Sequence, residues 1–187
     1  MNLHHKNDTD LKSEMQQVEA AKANPMHFDV LYDKYYKSIF IFIHRRIGDE
    51  EVTADITSQV FLKALINIKK YVFKGVPFSA WLFRIAFNEI NMYFRNNNAH
   101  RVISLEQSTI DQLVQEMDEG DNSVELKRMM TALKQLDGDD IQLIELRFFE
   151  KRSFAELGVI IGITENNAKV KTYRVLDKLK KIVGTKS

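Results

Sequence analysis

The 187-residue sequence contains no cysteine, only two prolines and seven glycines. The absence of cysteine excludes disulfides, thiol catalysis and cysteine-ligated zinc or iron-sulfur centres. Because helix-breaking residues are so few, long stretches are free to be helical, and we predict an all-α fold. The chain also lacks a run of eighteen apolar residues and an N-terminal signal sequence, so we expect no membrane insertion and a cytoplasmic protein.

The sequence also lacks a recognisable metal-binding or catalytic cluster of residues. The five histidines, at positions 4, 5, 27, 44 and 100, share no metal-ligand spacing. No carboxylate lies in an apolar setting that would tune it for acid-base work. We therefore expect no enzyme, no metal and no cofactor. With 44% hydrophobic and 28% charged residues, the composition is that of a globular protein.

The segment from Ser153 to Lys181 has the plan of a helix-turn-helix. Ser153 and Glu156 form a capping-box pattern at the start of a short helix, whose apolar face carries Phe154, Leu157, Ile160 and Ile161. Gly162 and Ile163 then interrupt the periodicity, and Thr164 is a candidate N-cap for a second helix. The inner face of that helix is predicted at Ala168, Thr172, Val175 and Leu179.

The second helix of this pair is basic on its outer side. From residue 164 to 187 there are seven Lys or Arg against two acidic residues, a local net charge of +5 in a chain of net +1. Clustered positive charge favours contact with phosphates, so we interpret the helix as a DNA reader. The alternative is an ordinary helical pair whose lysines face solvent. The outer positions are Asn166, Lys169, Val170, Lys171, Tyr173, Arg174 and Lys178.

The N-terminal half begins with a polar tail, predicted over residues 1–23. Asn24 and Pro25 indicate a cap and first helical position, and Gly48 indicates the end of that helix. Its inner face is predicted at Phe28, Leu31, Tyr35, Ile39 and Phe42.

A second helix, predicted from about Glu51 to Ile68, has two different faces. Val52, Ile56, Val60 and Ala64 form the inner stripe. A row of mixed apolar and polar side chains on the other side is unusual for a solvated face and suggests a protein-docking surface. The alternative is that a third helix of the same domain covers it. The row comprises Asp55, Gln59, Leu62 and Ile66.

The segment Lys69 to Ala80 interleaves lysines with aromatic residues, a composition that suits single-stranded nucleic acid. The alternative is a loop whose aromatic rings anchor it to the core. We expect the side chains of Lys69, Lys70 and Lys74 to point outward and those of Phe73 and Phe78 to be partly buried.

In the helix predicted from Trp81 to Arg95, one stripe of Asn and Arg side chains could contact bases and phosphates. The alternative is that this stripe is simply the solvent-exposed face of the helix. That stripe comprises Arg84, Asn88, Asn91 and Arg95.

The organisation is therefore two small helical domains, at 24–97 and 123–187, joined by a flexible acidic linker at 98–122. In the second domain, Ser123 is a predicted cap for a helix carrying Leu126, Met129, Met130, Leu133 and Leu136. A turn at residues 137–140 starts the next helix. We predict a winged-helix-like helix-turn-helix for this domain.

Three motifs in this order make the chain resemble bacterial sigma factors of the sigma-70 family, of the small extracytoplasmic-function (ECF) type. TADITSQVFLKAL resembles the family's polymerase-binding segment, PFSAWLFRIAFNEINMYFR its minus-ten segment, and LRFFEKRSFAELGVIIGITENNAKVKTYRVLDKL its minus-thirty-five reader. The similarity covers residues 28 to about 183. Two departures are Ser58-Gln59, where many relatives have Gln-Glu, and Asn166-Asn167, where Gly-Thr is common.

The resemblance implies a sigma factor that binds core RNA polymerase and recognises the minus-ten and minus-thirty-five promoter elements, with an anti-sigma factor as a further partner. The alternative is a two-domain helix-turn-helix regulator acting without polymerase; a helical adaptor that never touches DNA does not account for the C-terminal charge. The implied core-binding residues are Asp55, Ser58, Gln59, Leu62 and Ile66. The implied minus-ten residues are Lys70, Tyr71, Phe73, Lys74, Phe78, Trp81, Arg84, Asn88, Asn91 and Arg95. The implied minus-thirty-five residues are Asn166, Asn167, Lys169, Val170, Lys171, Tyr173, Arg174 and Lys178.

Overall fold

The structure, a computed structural model, describes residues 8–97, 129, 131–133 and 135–184, and across these ranges the regular structure is entirely helical. The predicted all-α class is confirmed. The chain divides into two compact units; α1 to α4 belong to the first and most of the remainder to the second. None of the helices in the described ranges is long and apolar enough to cross a membrane. The α-helices are α1 (Asp8–Ala23), α2 (Asp29–Ile47), α3 (Glu50–Asn67), α4 (Phe78–Asn97), α5 (Gly138–Ile144), α6 (Phe154–Ile161) and α7 (Glu165–Gly184).

Helix α1 corrects the prediction of a polar tail over residues 1–23. Residues 8–23 are helical, and Val18 and Ala21 are completely buried against the rest of the N-terminal unit. The segment reads as polar because only a narrow strip of α1 faces the core, so most of its residues remain hydrophilic. Residues 1–7 lie outside the described ranges.

Helix α2 begins and ends as its sequence indicates. The Asn24 side chain accepts a hydrogen bond from the backbone N–H of Met26 at 3.1 Å and caps a 3₁₀ turn, Pro25–Phe28, which leads into α2. At the other end Gly48 has φ of 77°, a left-handed conformation that glycine adopts without steric cost. The inner residues predicted for this helix are all buried: Phe28, Leu31, Tyr35, Ile39 and Phe42.

The core of the N-terminal unit lies among α2, α3 and α4. The rings of Phe42 and Phe83 meet edge to face, with 4.7 Å between their centroids. From α3, Ile56, Val60 and Ala64 point into this core as predicted, whereas Val52 is half-buried. A 3₁₀ turn, Ile68–Lys70, follows α3 and opens the segment that leads to α4. Packing against this core therefore fixes the orientation of α3 and α4, and with it the positions of the side chains on their outer faces.

The C-terminal unit contains the predicted turn at residues 137–140. The Asp137 carboxylate accepts from the backbone N–H of Asp140 at 3.0 Å and caps α5. A π-helical turn, Glu145–Phe149, continues from α5. The winged-helix-like description is wrong for the described part of this unit, because a wing is a β-hairpin and no strand occurs there.

Two predicted features fall largely outside the described ranges. The acidic linker at 98–122 and the cap at Ser123 lie wholly outside them, as do Leu126 and Met130. Of the apolar positions predicted for the helix after the linker, Met129, Leu133 and Leu136 are described and buried. These three side chains belong to the core of the C-terminal unit.

Candidate nucleic-acid and protein interfaces

The start of α6 has the predicted capping box. The Glu156 backbone N–H donates to Ser153 Oγ at 3.2 Å, and the Ser153 backbone N–H donates to Glu156 Oε2 at 2.9 Å. Glu156 also pairs with Arg152, with 3.0 Å between Oε1 and Nη1. At the start of α7, Thr164 Oγ1 accepts from the Asn167 N–H at 3.2 Å, which confirms Thr164 as the N-cap.

The two helices of this pair approach each other closely at Gly158. A Cβ placed on Gly158 would lie 2.8 Å from the carbonyl oxygen of Ile163 and 3.1 Å from the backbone nitrogen of Glu165. Real Cβ atoms do not approach so closely, so the turn into α7 depends on glycine here. This role of Gly158 was not predicted from the sequence. The available signal was an isolated glycine inside an otherwise helical apolar pattern, which often marks close packing.

Helix α7 turns one face into the unit and the other toward solvent. The predicted inner residues Ala168, Thr172, Val175 and Leu179 are all buried. On the outer side, Val170 is 42% and Tyr173 45% exposed, and the Tyr173 ring lies 6.2 Å from that of Phe154. The other predicted DNA-contacting positions on this helix are also exposed: Asn166, Asn167, Lys169, Lys171, Arg174 and Lys178.

Lys178 differs from the other exposed cations of α7 because its ammonium is already engaged. Its Nζ lies 2.8 Å from Asp140 Oδ2 and 3.1 Å from Asp137 Oδ2. The hydrogen bonds to Asp140 and then Asp137 raise the pKa of Lys178 above its ordinary value. Contact of Lys178 with DNA stays a prediction; in this structure its ammonium pairs with carboxylates at the start of α5.

The outer row of α3 is open to solvent. Leu62 is 56% and Ile66 67% exposed. Asp55, Ser58 and Gln59 are exposed on the same side of the helix. In the described part of the chain no third helix covers this row, which was the alternative to a docking surface. We call these five residues the α3 row.

In the segment between α3 and α4 the lysine side chains are exposed, whereas most of the aromatic rings are buried. Lys69, Lys70 and Lys74 are exposed as predicted, and Phe73 is 41% exposed. Tyr71 and Phe78, by contrast, are buried, with 6% and 0% of their surface exposed.

In this conformation the rings of Tyr71 and Phe78 are buried, and their direct contact with DNA stays a prediction. Their rings pack on each other at 5.1 Å and on Trp81 at 5.2 and 5.4 Å. Sequence alone did not separate anchoring rings from exposed ones, because aromatic residues serve both purposes.

Helix α4 presents the predicted polar stripe beside a cleft. Asn88 and Arg95 are exposed, while Arg84 and Asn91 are half-buried. The cleft measures about 350 Å³ and brings Lys70, Trp81 and Asn88 together. Its other polar residues were not predicted from the sequence; of these, Lys63 and Glu89 form an ion pair, with 2.6 Å between Nζ and Oε2. The full lining is Lys63, Asn67, Lys70, Trp81, Ile85, Asn88 and Glu89.

Comparison with known families assigns both halves of the chain. Residues 31–100 match the family described as Sigma-70 region 2. Residues 132–181 match the family described as Sigma-70, region 4. Together the two matches cover more than half of the chain, and they include the α3 row, the α4 stripe and the helix-turn-helix.

Individual proteins to which the chain is similar are described as RNA polymerase sigma factors. The chain is 27% identical over 179 residues to the ECF RNA polymerase sigma factor BldN of Streptomyces coelicolor, spanning 94% of this chain and 68% of the relative. It is 24% identical to the ECF RNA polymerase sigma factor SigM of Bacillus subtilis, across 83% of this chain and 94% of the relative. Among solved structures, CnrH in complex with the cytosolic domain of CnrY shares the fold, with a TM-score of 0.60 at 20% identity and coverage of 93% and 99%.

Proposed function

The chain belongs to the sigma-70 family of RNA polymerase sigma factors, in its extracytoplasmic-function subfamily, and we propose a division of labour among its surfaces. The protein binds core RNA polymerase and directs promoter-specific initiation of transcription. It is a recognition subunit, and bond-making chemistry belongs to the polymerase. Since it acts with polymerase on chromosomal DNA, its place is the cytoplasm.

Core polymerase docks on the α3 row. Leu62 and Ile66 supply exposed apolar area, and Asp55 supplies a charge beside it. An interface of this kind gains affinity from the buried aliphatic side chains and selectivity from the charged one. Ser58 and Gln59 complete the row with hydrogen-bonding groups.

The segment after α3 and the stripe on α4 receive the opened minus-ten element. Exposed lysines at 69, 70 and 74 neutralise phosphates, and the ring of Phe73 offers a stacking surface. The cleft beside Trp81 and Asn88 takes a base that has left the duplex, and Asn88 offers it a donor and an acceptor. Tyr71 and Phe78 support this surface from beneath.

Helix α7 enters the major groove of the minus-thirty-five element. Its outer face offers Asn and Arg side chains, which can form bidentate hydrogen bonds to base edges, and lysines suited to phosphates. This assignment uses Asn166, Asn167, Lys169, Val170, Lys171, Tyr173 and Arg174, with Lys178 at the edge of the face and paired with Asp137 and Asp140 in the free protein.

One observation carries the proposal: a single chain combines a DNA-binding helix-turn-helix with an exposed apolar row on a separate helical unit. A helix-turn-helix regulator that acts without polymerase needs the first feature and not the second. The α3 row therefore favours the sigma factor over that alternative.

A further partner is an anti-sigma factor, a protein that holds the sigma factor away from polymerase. CnrH, which shares the fold, was solved with the cytosolic domain of CnrY bound. The exposed Leu62 and Ile66 support such a partner here, because a protein that covers them also blocks docking on core polymerase.

The experiment that tests the function is transcription from purified components. Core polymerase from a bacterium is mixed with this protein and genomic DNA fragments, and the starts are mapped. We expect new start sites that share two sequence elements at a fixed spacing. If no starts appear and the protein alone still shifts duplex DNA, the regulator without polymerase is correct.

A further inference from the structure

Helix α1 buries a carboxylate inside the N-terminal unit. Glu14 is only 1% exposed. Its carboxylate accepts hydrogen bonds from the Tyr35 hydroxyl and, at 2.9 Å, from the backbone N–H of Phe78. Lys34 Nζ lies 3.4 Å from the same group. One side chain therefore joins α1, α2 and the start of α4.

The contact with Phe78 is a helix cap supplied by a distant part of the chain. Phe78 is the first residue of α4, and the first N–H groups of a helix have no acceptor within it. Glu14, 64 residues earlier in the sequence, provides that acceptor. Its negative charge also complements the positive end of the helix dipole. The start of α4 is thus held by α1.

The same helix also reaches the other end of the segment between α3 and α4. Lys22 Nζ lies 5.7 Å from the centroid of the Tyr71 ring, and that ring packs on Phe78 and Trp81. Burial, and then the charge of Glu14, raise the pKa of Tyr71 to about 12. Residues 72–77 are therefore bracketed by two residues that both lie against α1.

We propose that Glu14 is a positioning residue for promoter opening, which holds residues 71–78 in the geometry that receives unpaired minus-ten bases. Glu14 itself touches no nucleic acid, because it is buried; it acts through Phe78 and Tyr71. The proposal rests on the assignment of this segment to the minus-ten element. It extends the minus-ten machinery to α1, which precedes the residues matched to Sigma-70 region 2.

The first test uses Trp81, the single tryptophan of the chain, which packs on Tyr71 and Phe78. Glu14→Gln keeps the size of the side chain and removes its charge, while Tyr35→Phe removes one donor. Glutamine has one acceptor oxygen where Glu14 uses two, and it carries no charge, so the hold on Phe78 and Tyr35 weakens. We expect acrylamide quenching of Trp81 to rise about twofold in Glu14→Gln and less in Tyr35→Phe. Asp10→Asn is the matched control, since Asp10 lies on the same helix and is exposed.

The second test uses holoenzyme at a promoter identified by the start-site mapping. We expect Glu14→Gln to slow initiation about tenfold on duplex template and to stay within about twofold of wild type on a template with a pre-opened minus-ten region. Equal slowing on both templates would mean a general structural defect, and unchanged Trp81 quenching would mean that Glu14 does not hold the segment; either result overturns the proposal. If the wild-type holoenzyme starts transcription at no site, the proposed function is wrong, and so is the role of Glu14 in promoter opening. The quenching result still shows whether Glu14 holds residues 71–78 in place.

Discussion

Arg152 and Glu156 form an ion pair that is almost completely enclosed by the C-terminal unit. Arg152 Nη1 lies 3.0 Å from Glu156 Oε1, and the two side chains are only 5% and 3% exposed. The second oxygen of Glu156 accepts from the Ser153 N–H, so one carboxylate serves both the pair and the capping box. The start of the helix-turn-helix is therefore tied to the turn that precedes it.

Replacing Glu156 with Gln should destabilise this region strongly. The substitution removes the carboxylate charge that faces the buried Arg152 guanidinium, and breaking a buried pair typically costs about 3 kcal/mol or more. The measurement is the free energy of opening from hydrogen exchange of the α6 amides. Glu165→Gln, at an exposed position in the first turn of α7, is the control, and equal protection in both variants would contradict the prediction.

Gly158→Ala should destabilise the helix-turn-helix by about 1–3 kcal/mol, because the added methyl group meets the backbone of Ile163 and Glu165. Gly184→Ala supplies the contrast. A Cβ at Gly184 meets nothing within 4 Å, so the higher helix propensity of alanine should leave stability unchanged or slightly raised. Urea unfolding followed by circular dichroism compares the two. A Gly158→Ala protein as stable as Gly184→Ala would show that the turn can relax.

The stability of the C-terminal unit should fall in acid through Asp137. The hydrogen bond from the Asp140 N–H is the main cause that lowers the pKa of Asp137, with Lys178 adding to it. A carboxyl whose pKa is lowered on folding stabilises the protein above its unfolded pKa, and that contribution is lost as the pH falls through the folded pKa. Melting temperatures measured from pH 7 down to pH 2 should therefore converge for wild type and Asp137→Asn at the acid end. Parallel curves throughout would rule this out.

Arg174 and Lys178 should behave differently in DNA binding although both are exposed on α7. Arg174→Ala should weaken binding to a minus-thirty-five duplex and, if it contacts a phosphate, lower the salt-dependence slope by about 0.9. Lys178→Ala should leave that slope unchanged, because its ammonium is engaged by Asp137 and Asp140. Fluorescence anisotropy over a salt series measures both. A reduced slope for Lys178→Ala would return this lysine to the DNA-binding surface.

Asp55→Arg should remove core polymerase binding while leaving the fold intact. Asp55 is exposed beside Leu62, so reversing its charge disturbs the docking surface and not the core; a mispaired interface charge costs about 2 kcal/mol or more. Glu50→Arg is the control, since Glu50 is exposed on the opposite side of α3. Co-purification with core polymerase gives the readout. If Asp55→Arg co-purifies with core polymerase at the wild-type level, the α3 row is not the docking surface.

Local rules were sufficient for the parts of the fold that neighbours in sequence determine. The capping box at Ser153, the cap at Thr164 and the left-handed Gly48 all depend on residues within a few positions of each other. The inner face of α7 followed from its helical periodicity. Because its caps and its periodicity both depend on residues close in sequence, the helix-turn-helix was the most accurately predicted part of the chain.

The misses depend on partners far along the chain. The ion pair of Lys178 was not predicted, because its partner Asp137 lies 41 residues away. The N-terminal segment read as a tail because the acceptor role of Glu14 appears only when α4 is beside it. Tyr71 and Phe78 look like Phe73 in sequence, and only packing decides which ring is buried.

The exposed aliphatic side chains of α3 also give complex formation a thermodynamic signature. Covering Leu62 and Ile66 removes apolar surface from water, so association through this face must have a negative heat-capacity change. The hydrophobic part of that attraction weakens on cooling. If core polymerase docks on this face, the hydrophobic part of its affinity for this protein should therefore fall on cooling, while a contact made mainly through charge should not.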